Sequence, residues 1–475
     1  MRGQPGKNCG TVILGGGLAG LSAGYLLSRN GQSVTLVERD AGLGGLARTV
    51  EHRGFRFDLG GHRFITNNAK VDAFVRQLLA GEYLEVDRSS RILLGDKWFH
   101  YPLKPLNALS GFGIPTAISI LGDYVAKRIK ARFDSGSAVS LEDWVVRHYG
   151  RRLFTIYFKA YSEKVWGIGC DEIDAQWIEQ RVQGLSLGAA ILHAILPRFG
   201  GDRGTLATRF LYPAAGIGLI AERLHQGMVA ISDTLRDTTV VRLDHSQGRI
   251  RHATIHSGGA TDILEAKQFI STIPLQALVT ALYPRPPAPV LAAASRLRSR
   301  DLMIVAVMLN RPRVTEHTWI YVPDRKFPFG RIHEPTNWSA RMAPAGKTLL
   351  VAEYFCFRGD TIWNRTAREM TRCTVDGLEE LGLMTRRDVL DSAVLRIPNA
   401  YPLFEVGYRE HCQCIQDYLD RFDNLHVAGR GGMFRYYNMD HAIQSGMDVA
   451  EKLLDDVVRQ RRWETETSTK MVKLA

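Results

Sequence analysis

The feature that most constrains the fold of this chain is a short apolar run followed at once by a glycine-rich turn. Thr11–Leu14 form the run, which is typical of a buried parallel strand, and Gly15–Gly20 (GGGLAG) lead into the helical pattern LSAGYLLSRNG. A second apolar run, Ser33–Val37, ends at Glu38. In such a unit a pyrophosphate lies at the helix N-terminus, and the acid accepts hydrogen bonds from a ribose. The pattern predicts a dinucleotide site, with a purely structural glycine turn as the alternative. The predicted contacts are Gly15, Gly17, Leu18, Ala19, Gly20, Glu38 and Arg39.

Two further glycine clusters suggest which dinucleotide is bound. Residues 42–49 read GLGGLART and residues 424–432 read NLHVAGRGG, with a helical pattern after Asp440. Both resemble signatures of FAD proteins of the amine-oxidase and protoporphyrinogen-oxidase superfamily. The resemblance implies FAD held by residues hundreds of positions apart, and NAD(P)H stays open as a transient reductant. The additional cofactor contacts that it implies are Gly44, Gly45, Leu46, Ala47, Gly429, Arg430, Asn438, Met439 and Asp440.

The segment FRFDLGGHRF, residues 55–64, follows the second glycine cluster. In the resembled superfamily this part of the chain runs beside the isoalloxazine ring. Gly60 and Gly61 lack a Cβ, so their backbone can approach the flavin closely. We expect His62 to lie beside the reactive part of the flavin and to respond to its redox state, because imidazole titrates near neutral pH. The alternative is a histidine in a structural turn.

Several local patterns resemble UDP-galactopyranose mutases, especially the longer eukaryotic type. They are FDLGGH (57–62), WFHYPL (98–103), LEDW (141–144), YSEKVW (161–166), WIEQRV (177–182) and WIYVP (319–323). The resemblance implies that Arg181 and Arg331 clamp the diphosphate of a nucleotide sugar, and a guanidinium fork suits such oxygens. Surface salt bridges are the alternative for both arginines, and core packing is the alternative for Tyr161 and Trp166. The substrate contacts that the resemblance implies are Tyr101, Tyr161, Trp166, Tyr321, Tyr401, Arg435 and Tyr436.

The resembled family interconverts pyranose and furanose sugars without net redox change. There, reduced FAD attacks the anomeric carbon through N5, the nucleotide diphosphate leaves, and the sugar ring recloses through a different hydroxyl. Covalent catalysis of this kind divides one difficult displacement into easier steps. The implied catalytic set is His62, Arg181 and Arg331. Within it, the two arginines hold the diphosphate and stabilise its developing charge. A UDP-galactose-like substrate is expected.

The chain departs from this pattern at two places. Residues 65–68 read ITNN where the longer mutases carry a second histidine, and Ser162 stands where asparagine is common. The sugar and the nucleotide therefore stay open. Two other functions also stay open: an FAD oxidase or dehydrogenase of the amine-oxidase, protoporphyrinogen-oxidase or desaturase type, and a flavin-bearing regulator without turnover. Convergence of Arg181, Arg331, Tyr321, Tyr401 and Tyr436 would favour the mutase.

The length of the chain predicts two or three domains, and the strand–turn–helix unit at its start, with the FAD resemblance, implies the α/β class. With 475 residues, 45% of them apolar, the chain exceeds one simple core. We expect a Rossmann-like FAD-binding domain interrupted by a helical insertion and by a sheet-rich substrate domain, whose strands include 302–309 and 348–355. The predicted boundaries are 8–95, 205–280 and 420–460 for the FAD-binding domain, 96–204 for the insertion, 281–419 for the substrate domain and 461–475 for a tail.

Charge and cysteine content narrow the class of partner. The net charge of +12 favours an anionic ligand, but the arginines are dispersed rather than gathered in a nucleic-acid-binding tail. Six scattered cysteines imply neither a zinc site nor a disulfide framework, so no metal is expected and the compartment is predicted to be the reducing cytoplasm. No signal peptide or apolar run of about 18 residues is evident. Segments 113–125 and 185–197 are the most apolar helical stretches; core packing is favoured for them, and peripheral membrane contact and the oligomeric state stay open.

Overall fold

The computed structural model describes residues 9–95, 97–101, 113–131, 137–182, 208–228 and 231–474. Its strands are β1 (Cys9–Leu14), β2 (Val34–Val37), β3 (Thr49–His52), β4 (Phe55–Asp58), β5 (Tyr83–Asp87), β6 (Ser90–Leu94), β7 (Lys97–His100), β8 (Arg209–Pro213), β9 (Ser232–Leu235), β10 (Thr238–Ser246), β11 (Arg249–Ser257), β12 (Ala260–Ser271), β13 (Leu282–Tyr283), β14 (Ser299–Leu309), β15 (Trp319–Tyr321), β16 (Arg331–His333), β17 (Thr348–Cys356), β18 (Val389–Pro402) and β19 (Leu425–Val427).

Its α-helices are α1 (Leu18–Arg29), α2 (Ala69–Leu79), α3 (Ile114–Ala131), α4 (Leu141–Tyr149), α5 (Arg151–Leu153), α6 (Ala160–Trp166), α7 (Ala175–Val182), α8 (Gly218–Gln226), α9 (Leu275–Ala281), α10 (Ala288–Arg296), α11 (Ala367–Glu380), α12 (Tyr408–Leu419), α13 (Gly429–Gly432) and α14 (Met439–Leu474). A π-helical turn, Phe154–Lys159, joins α5 to α6. Short 3-10 turns lie at Pro335–Asn337, Ala340–Met342 and Arg386–Asp388.

The first sheet unites strands from the two ends and the middle of the chain. Strands β19, β12, β1, β2 and β9 lie side by side in that order, and all their pairings are parallel. Strand β12 is long enough to continue into an antiparallel meander with β11 and β10. Val12, Ile13 and Leu14 are fully buried, as expected of a strand covered on both faces. The parallel order around the β1–α1 turn confirms the predicted α/β class with a Rossmann-like domain.

The second sheet has the order β18-β14-β17-β16-β15-β6-β7. Its long strands β14 and β17 cover the two stretches predicted as strands of the second domain, and β17 is buried along its whole length. The hairpin β6–β7 joins this sheet, because β6 pairs in parallel with β15. The predicted boundary at residue 95 therefore falls inside a hairpin of the second sheet. The domain boundaries otherwise stay a prediction.

Helices α3 to α7 lie in the segment predicted as a helical insertion. Helix α4 begins at a capping box in which Ser140 and Asp143 exchange hydrogen bonds. The exposure of helix α3 differs from expectation. Core packing was favoured for residues 113–125, but the apolar side chains of this helix are exposed. Its apolar side chains Ile114 and Ile118 are 65% and 66% exposed, and further exposed members of the same stripe are Leu121, Val125 and Ile129. Residues 185–197 lie outside the described part of the chain.

Two observations concern the termini and the membrane. Helix α14 runs to Leu474 and so crosses the predicted boundary at residue 461, and the separate tail stays a prediction. None of the described helices combines the length and the apolar character needed to cross a bilayer.

Candidate functional site

The three glycine clusters meet at the carboxyl edge of the parallel strands. Gly17 forms a β-bridge with Gly44, and the Gly44 N–H donates to the Gly16 carbonyl at 2.7 Å. A Cβ placed on Gly429 would lie 3.0 Å from the Cβ of Ala19, which shows how closely α13 approaches α1. Segments separated by hundreds of positions in the sequence thus line the same crevice at the carboxyl ends of the strands. Open parallel sheets bind their ligands in this position.

Glu38 is fixed at this edge by two backbone donors. The Gly16 N–H donates to its Oε2 at 2.7 Å, and the Asp40 N–H donates to its Oε1 at 2.9 Å. Both carboxylate oxygens keep lone pairs that can accept further hydrogen bonds. The geometry fits an acid that receives a ribose diol. The neighbouring Arg39 is mostly exposed and lies 3.4 Å from Asp40.

The N-terminus of α1 is suited to an anion. Its N-cap is Gly17, no side chain caps it, and no acidic residue occupies its first turn. The N–H groups at such a helix start carry a partial positive charge and bind phosphate groups. A Cβ on Gly20 would lie 2.1 Å from the Gly15 carbonyl oxygen, so the turn can close only with glycine there. These residues therefore fit the pyrophosphate of a dinucleotide cofactor.

The Gly60–His62 turn packs against the second sheet. The Gly61 N–H donates to Oε1 of the buried Glu353 at 2.9 Å, and a Cβ on Gly61 would lie 2.0 Å from the ring of Trp319. We expected Gly61 to be glycine so that a flavin could approach. Among the described residues the close contact that excludes a side chain is with Trp319.

The ring of His62 lies close to the Gly60 carbonyl and to two arginines. Its Nδ1 lies 3.1 Å from the Gly60 carbonyl. Burial, followed by the charges of Arg430 and Arg331, lowers its pKa to about 4, against a weaker opposing effect of the Gly60 carbonyl. His62 is therefore neutral at pH 7, and the expectation that it titrates near neutral pH is wrong, because burial and then the nearby cations disfavour its charged form.

Arg331 is the best connected of the predicted substrate residues. Its Nη2 lies 2.6 Å from Oε2 of Glu353 and donates to the Tyr401 hydroxyl at 2.8 Å. Glu353, and then the hydroxyls of Tyr401 and Tyr161, outweigh burial and raise the pKa of Arg331 well above its usual value. Its buried Nε finds no acceptor in the described part of the chain. The positive charge of Arg331 is thus compensated by Glu353 at Nη2, and its Nε–H remains as a donor for a ligand.

Arg430 brings the third glycine cluster to the same place. Its guanidinium carbon lies 4.7 Å from the ring centre of Tyr401 and 5.0 Å from that of Tyr436. Trp166, which is buried, meets the edge of Tyr401 at 6.4 Å between ring centres. Two cations and two tyrosines are therefore gathered beside His62.

The remaining tyrosines form a second wall. The rings of Tyr101 and Tyr161 lie 4.8 Å and 5.4 Å from that of Tyr321, which pairs with Arg331 across β15 and β16. Tyr157 faces the same group, and burial followed by these tyrosines raises its pKa well above the usual value. Their hydroxyls supply hydrogen-bonding groups along one side of the site.

Some predicted residues are not brought into this cluster. Arg435 is exposed and lies near Cys412, and Asn438 is exposed at the start of α14. Asp440 is buried and pairs with His441 at 3.0 Å. Arg181 lies in the last turn of α7, and its side chain is outside the described residues.

Sequence reasoning missed three residues of the site: Glu353, Arg63 and Trp319. Glu353 could have been found, because an acid in the middle of the apolar run TLLVAEYFC is costly unless it is paired. Arg63 follows His62 directly, but its neighbours come from distant strands. The sequence does not indicate that Glu353 and Arg63 face the site; the fold does.

Comparison with known proteins gives the family. A sequence profile described as flavin-containing amine oxidoreductase matches residues 125–454, and one described as NAD(P)-binding Rossmann-like domain matches residues 13–78. The chain belongs to the flavin-containing amine oxidoreductase family. Membership supports a flavin as the cofactor of the glycine-lined site.

The individual relatives of this chain are distant. A coproporphyrinogen III oxidase of Mycobacterium tuberculosis is 23% identical over 227 residues, which cover 47% of this chain and 43% of that protein. The chain thus matches less than half the length of this curated relative. A crystal structure of reduced UDP-galactopyranose mutase superposes with a TM-score of 0.81 at 20% identity, covering 96% of this chain and 94% of that one. Cyclohexylamine oxidase from Brevibacterium oxydans gives a TM-score of 0.65 at 15% identity, covering 95% and 99%. These likenesses establish the fold.

Proposed function

We propose that this protein is an FAD-dependent nucleotide-sugar mutase that interconverts the pyranose and furanose forms of a UDP-galactose-like substrate. The observation that carries the proposal is the contact series Tyr321, Arg331, Tyr401, Arg430 and Tyr436 beside His62. Convergence of arginine and tyrosine side chains is what a diphosphate clamp requires. Four of the five residues that distinguish a mutase from an oxidase come together in this series, and Arg181 stays a predicted member.

The residues present fit the cofactor at its phosphate and ribose ends. The uncapped N-terminus of α1 would hold the pyrophosphate, and Glu38 would accept hydrogen bonds from the ribose. When bound and reduced, FAD would supply the nucleophile for the anomeric carbon. NAD(P)H is proposed as its transient reductant.

The arginines would hold the leaving group during the reaction. Arg331 keeps its Nε available while Glu353 and Tyr401 fix its orientation, so little conformational entropy is lost on binding. A fixed cation near the departing diphosphate stabilises its growing charge and keeps it close for the return step. His62 would act as a neutral hydrogen-bonding partner, since its pKa is about 4.

An FAD oxidase is the second candidate function. The similarity to coproporphyrinogen III oxidase favours it, because that match is one of sequence. In this case the arginines would bind substrate carboxylates instead of a diphosphate. The two functions differ in whether electrons leave the substrate.

Product analysis separates the two. The purified protein is incubated with UDP-galactose, once oxidised and once reduced with dithionite, and the nucleotide sugars are resolved by anion-exchange chromatography. We expect a second isomeric peak only from the reduced protein, without consumption of oxygen. Oxygen-dependent conversion of coproporphyrinogen or an amine, with no isomer formed, would replace the mutase by the oxidase.

A variant at Arg331 tests the clamp. Arg331→Lys keeps the charge but removes the second arm of the fork, so we expect a loss of roughly 10- to 100-fold in kcat/KM for the isomerisation. Arg56→Lys is the matched control, because Arg56 pairs with Glu51 at the surface. Equal activity of both variants would remove Arg331 from the clamp.

We place the reaction in the cytoplasm. Cys170, Cys356, Cys373, Cys412 and Cys414 are all free thiols, which suits a reducing compartment.

A further inference from the structure

We propose that Arg63 and Arg88 form a second anion-binding subsite that holds a carboxylate or phosphate group of the substrate. The nature of the substrate rests on the proposed function, but the existence of the subsite rests on the surroundings of the two arginines. Neither residue belongs to the clamp around Arg331.

Arg63 is a cation for which the described residues supply no anion. Its guanidinium carbon lies 4.4 Å from the ring centre of Trp319, and it shares a hydrogen bond with the Tyr321 hydroxyl. Its Nη1 is buried and finds no acceptor among the described residues, where Arg63 makes no ion pair. Leaving a buried guanidinium donor without a partner is costly. A bound anion would remove that cost.

Arg88 adds a second positive charge to the same place. Its guanidinium carbon lies 5.1 Å from the ring centre of Tyr101, and its Nε is 3.5 Å from the Ser90 hydroxyl. No carboxylate pairs with it in the described chain. Its charge is close enough to Arg63 to lower the pKa of that residue, after the larger effect of burial. Two like charges repel strongly where they are partly desolvated. An anion bound between them would offset this repulsion, because it attracts both guanidinium groups.

Arg331 shows what these arginines lack. It contacts the same indole, at 5.2 Å from the ring centre of Trp319, but its charge is compensated by Glu353 at 2.6 Å. Arg300, which is also buried, donates to the carbonyls of Val165 and Phe355. Of the cations that contact the ring of Trp319, Arg63 is the one without a described carboxylate.

The position of the pair indicates which part of a ligand it would meet. Arg63 follows His62 in the chain, and its partner Tyr321 pairs across the sheet with Arg331. The subsite therefore adjoins the clamp and the candidate reaction centre. Two guanidinium forks and the hydroxyls of Tyr101 and Tyr321 suit either a carboxylate on the sugar ring or a phosphate of the nucleotide.

The test measures anion binding to the flavin-loaded full chain by calorimetry. The ligands are UDP-galactose, UDP-glucuronate and inorganic pyrophosphate, and the variants are Arg63→Gln, Arg88→Gln and Arg63→Lys. Arg91→Gln is the matched control, since Arg91 lies on the same strand as Ser90, points to its other face and contacts His100 at 2.8 Å. Flavin content and circular dichroism report on folding, and the partly exposed Arg88 carries the test if Arg63→Gln does not fold.

We expect Arg63→Gln and Arg88→Gln to weaken binding roughly 10- to 100-fold, Arg63→Lys to weaken it less, and Arg91→Gln to leave it unchanged. A loss confined to UDP-glucuronate identifies a sugar carboxylate, and a loss shared by all three ligands identifies a phosphate. Unchanged affinity in both glutamine variants, or no binding of any of the three anions by the wild-type protein, overturns the subsite. Binding of pyrophosphate without turnover of either nucleotide sugar would count against the mutase while leaving the subsite in place.

Discussion

At the scale of single residues, a missing Cβ shapes the turn that carries His62. Gly61 leaves room for Trp319, and that indole is held by stacking on His333 at 5.8 Å, with an interplanar angle of 19°. His333 in turn stacks on Trp338 at 4.8 Å. Since the ring cannot move away, any side chain at position 61 must displace the backbone between Gly60 and His62.

Gly61→Ala should therefore destabilise the protein by about 1–3 kcal/mol and reduce flavin content, because the added methyl would lie 2.0 Å from the Trp319 ring. Thermal denaturation and the ratio of flavin to protein absorbance measure both effects. The control is Gly122→Ala, where nothing lies within 4 Å and the helix should gain up to about 1 kcal/mol. If Gly61→Ala behaved like the control, the contact with Trp319 would not constrain the turn.

Asp58 precedes the same turn and carries a pH-dependent contribution. It accepts hydrogen bonds from the hydroxyls of Thr49 and Tyr212 and from the Ile217 N–H, yet burial raises its pKa from 3.8 to about 6. The folded protein thus binds this proton more tightly than the unfolded chain does. The contribution of Asp58 to stability is complete below about pH 4 and is lost as the pH rises through about 6.

Asp58→Asn should consequently gain stability relative to the wild type between about pH 4 and pH 6, by up to about 3 kcal/mol. Urea denaturation at a series of pH values measures the difference, with the exposed Asp262→Asn as the control for a lost carboxylate. A difference between wild type and Asp58→Asn that stays constant with pH would show that Asp58 titrates normally in the folded protein.

Residue types alone predicted the glycine turn and its neighbouring acid, but they did not predict the charge balance of the candidate substrate site. Glycine spacing and the acid after β2 are local signals, so Gly15 and Glu38 were readable from the chain. The pairing of Arg331 with Glu353 depends on β16 lying beside β17, and the exposed position of Arg435 depends on how α13 ends. Non-local pairings of this kind carry no local pattern.

At the scale of elements, the long apolar strands were predicted to within a few residues, whereas the exposure of helix α3 within the predicted helical insertion was not. Strands β14 and β17 are continuous apolar runs, which have few other interpretations. Helix α3 also carries an apolar stripe, but five of its apolar side chains are exposed in the described structure. The spacing of apolar residues along the sequence predicts an apolar stripe on one face of a helix. It does not predict whether another element packs against that stripe.

The exposed stripe of α3 leads to a prediction about stability. Ile118→Ser and Val125→Ser should change the free energy of unfolding by less than about 0.5 kcal/mol, because both side chains are exposed. Leu141→Ala, in the neighbouring helix α4, should cost about 2–5 kcal/mol, because Leu141 is fully buried. Chemical denaturation compares the three. A cost at Ile118 equal to that at Leu141 would mean that another surface covers the stripe.

At the scale of the whole molecule, the chain closes one site from both of its ends. The parallel sheet places β19 beside β12 and β12 beside β1, so the late glycine cluster returns to the first one. The second sheet then supplies Arg331, Glu353 and Tyr321 opposite that edge. The α/β class and the meeting of the three glycine clusters could be predicted, since each cluster has its own motif. The joining of β6 and β7 to the second sheet could not, because it depends on a parallel pairing with β15.

The central claim is that the site beside a bound flavin grips a nucleotide diphosphate. Titration of the purified yellow protein with UDP-galactose, followed through the flavin absorbance in the oxidised and the dithionite-reduced state, tests it most directly. We predict a saturable spectral change that is weakened in Arg331→Lys and preserved in Arg56→Lys. A spectrum that does not respond to any sugar nucleotide in either oxidation state would contradict it.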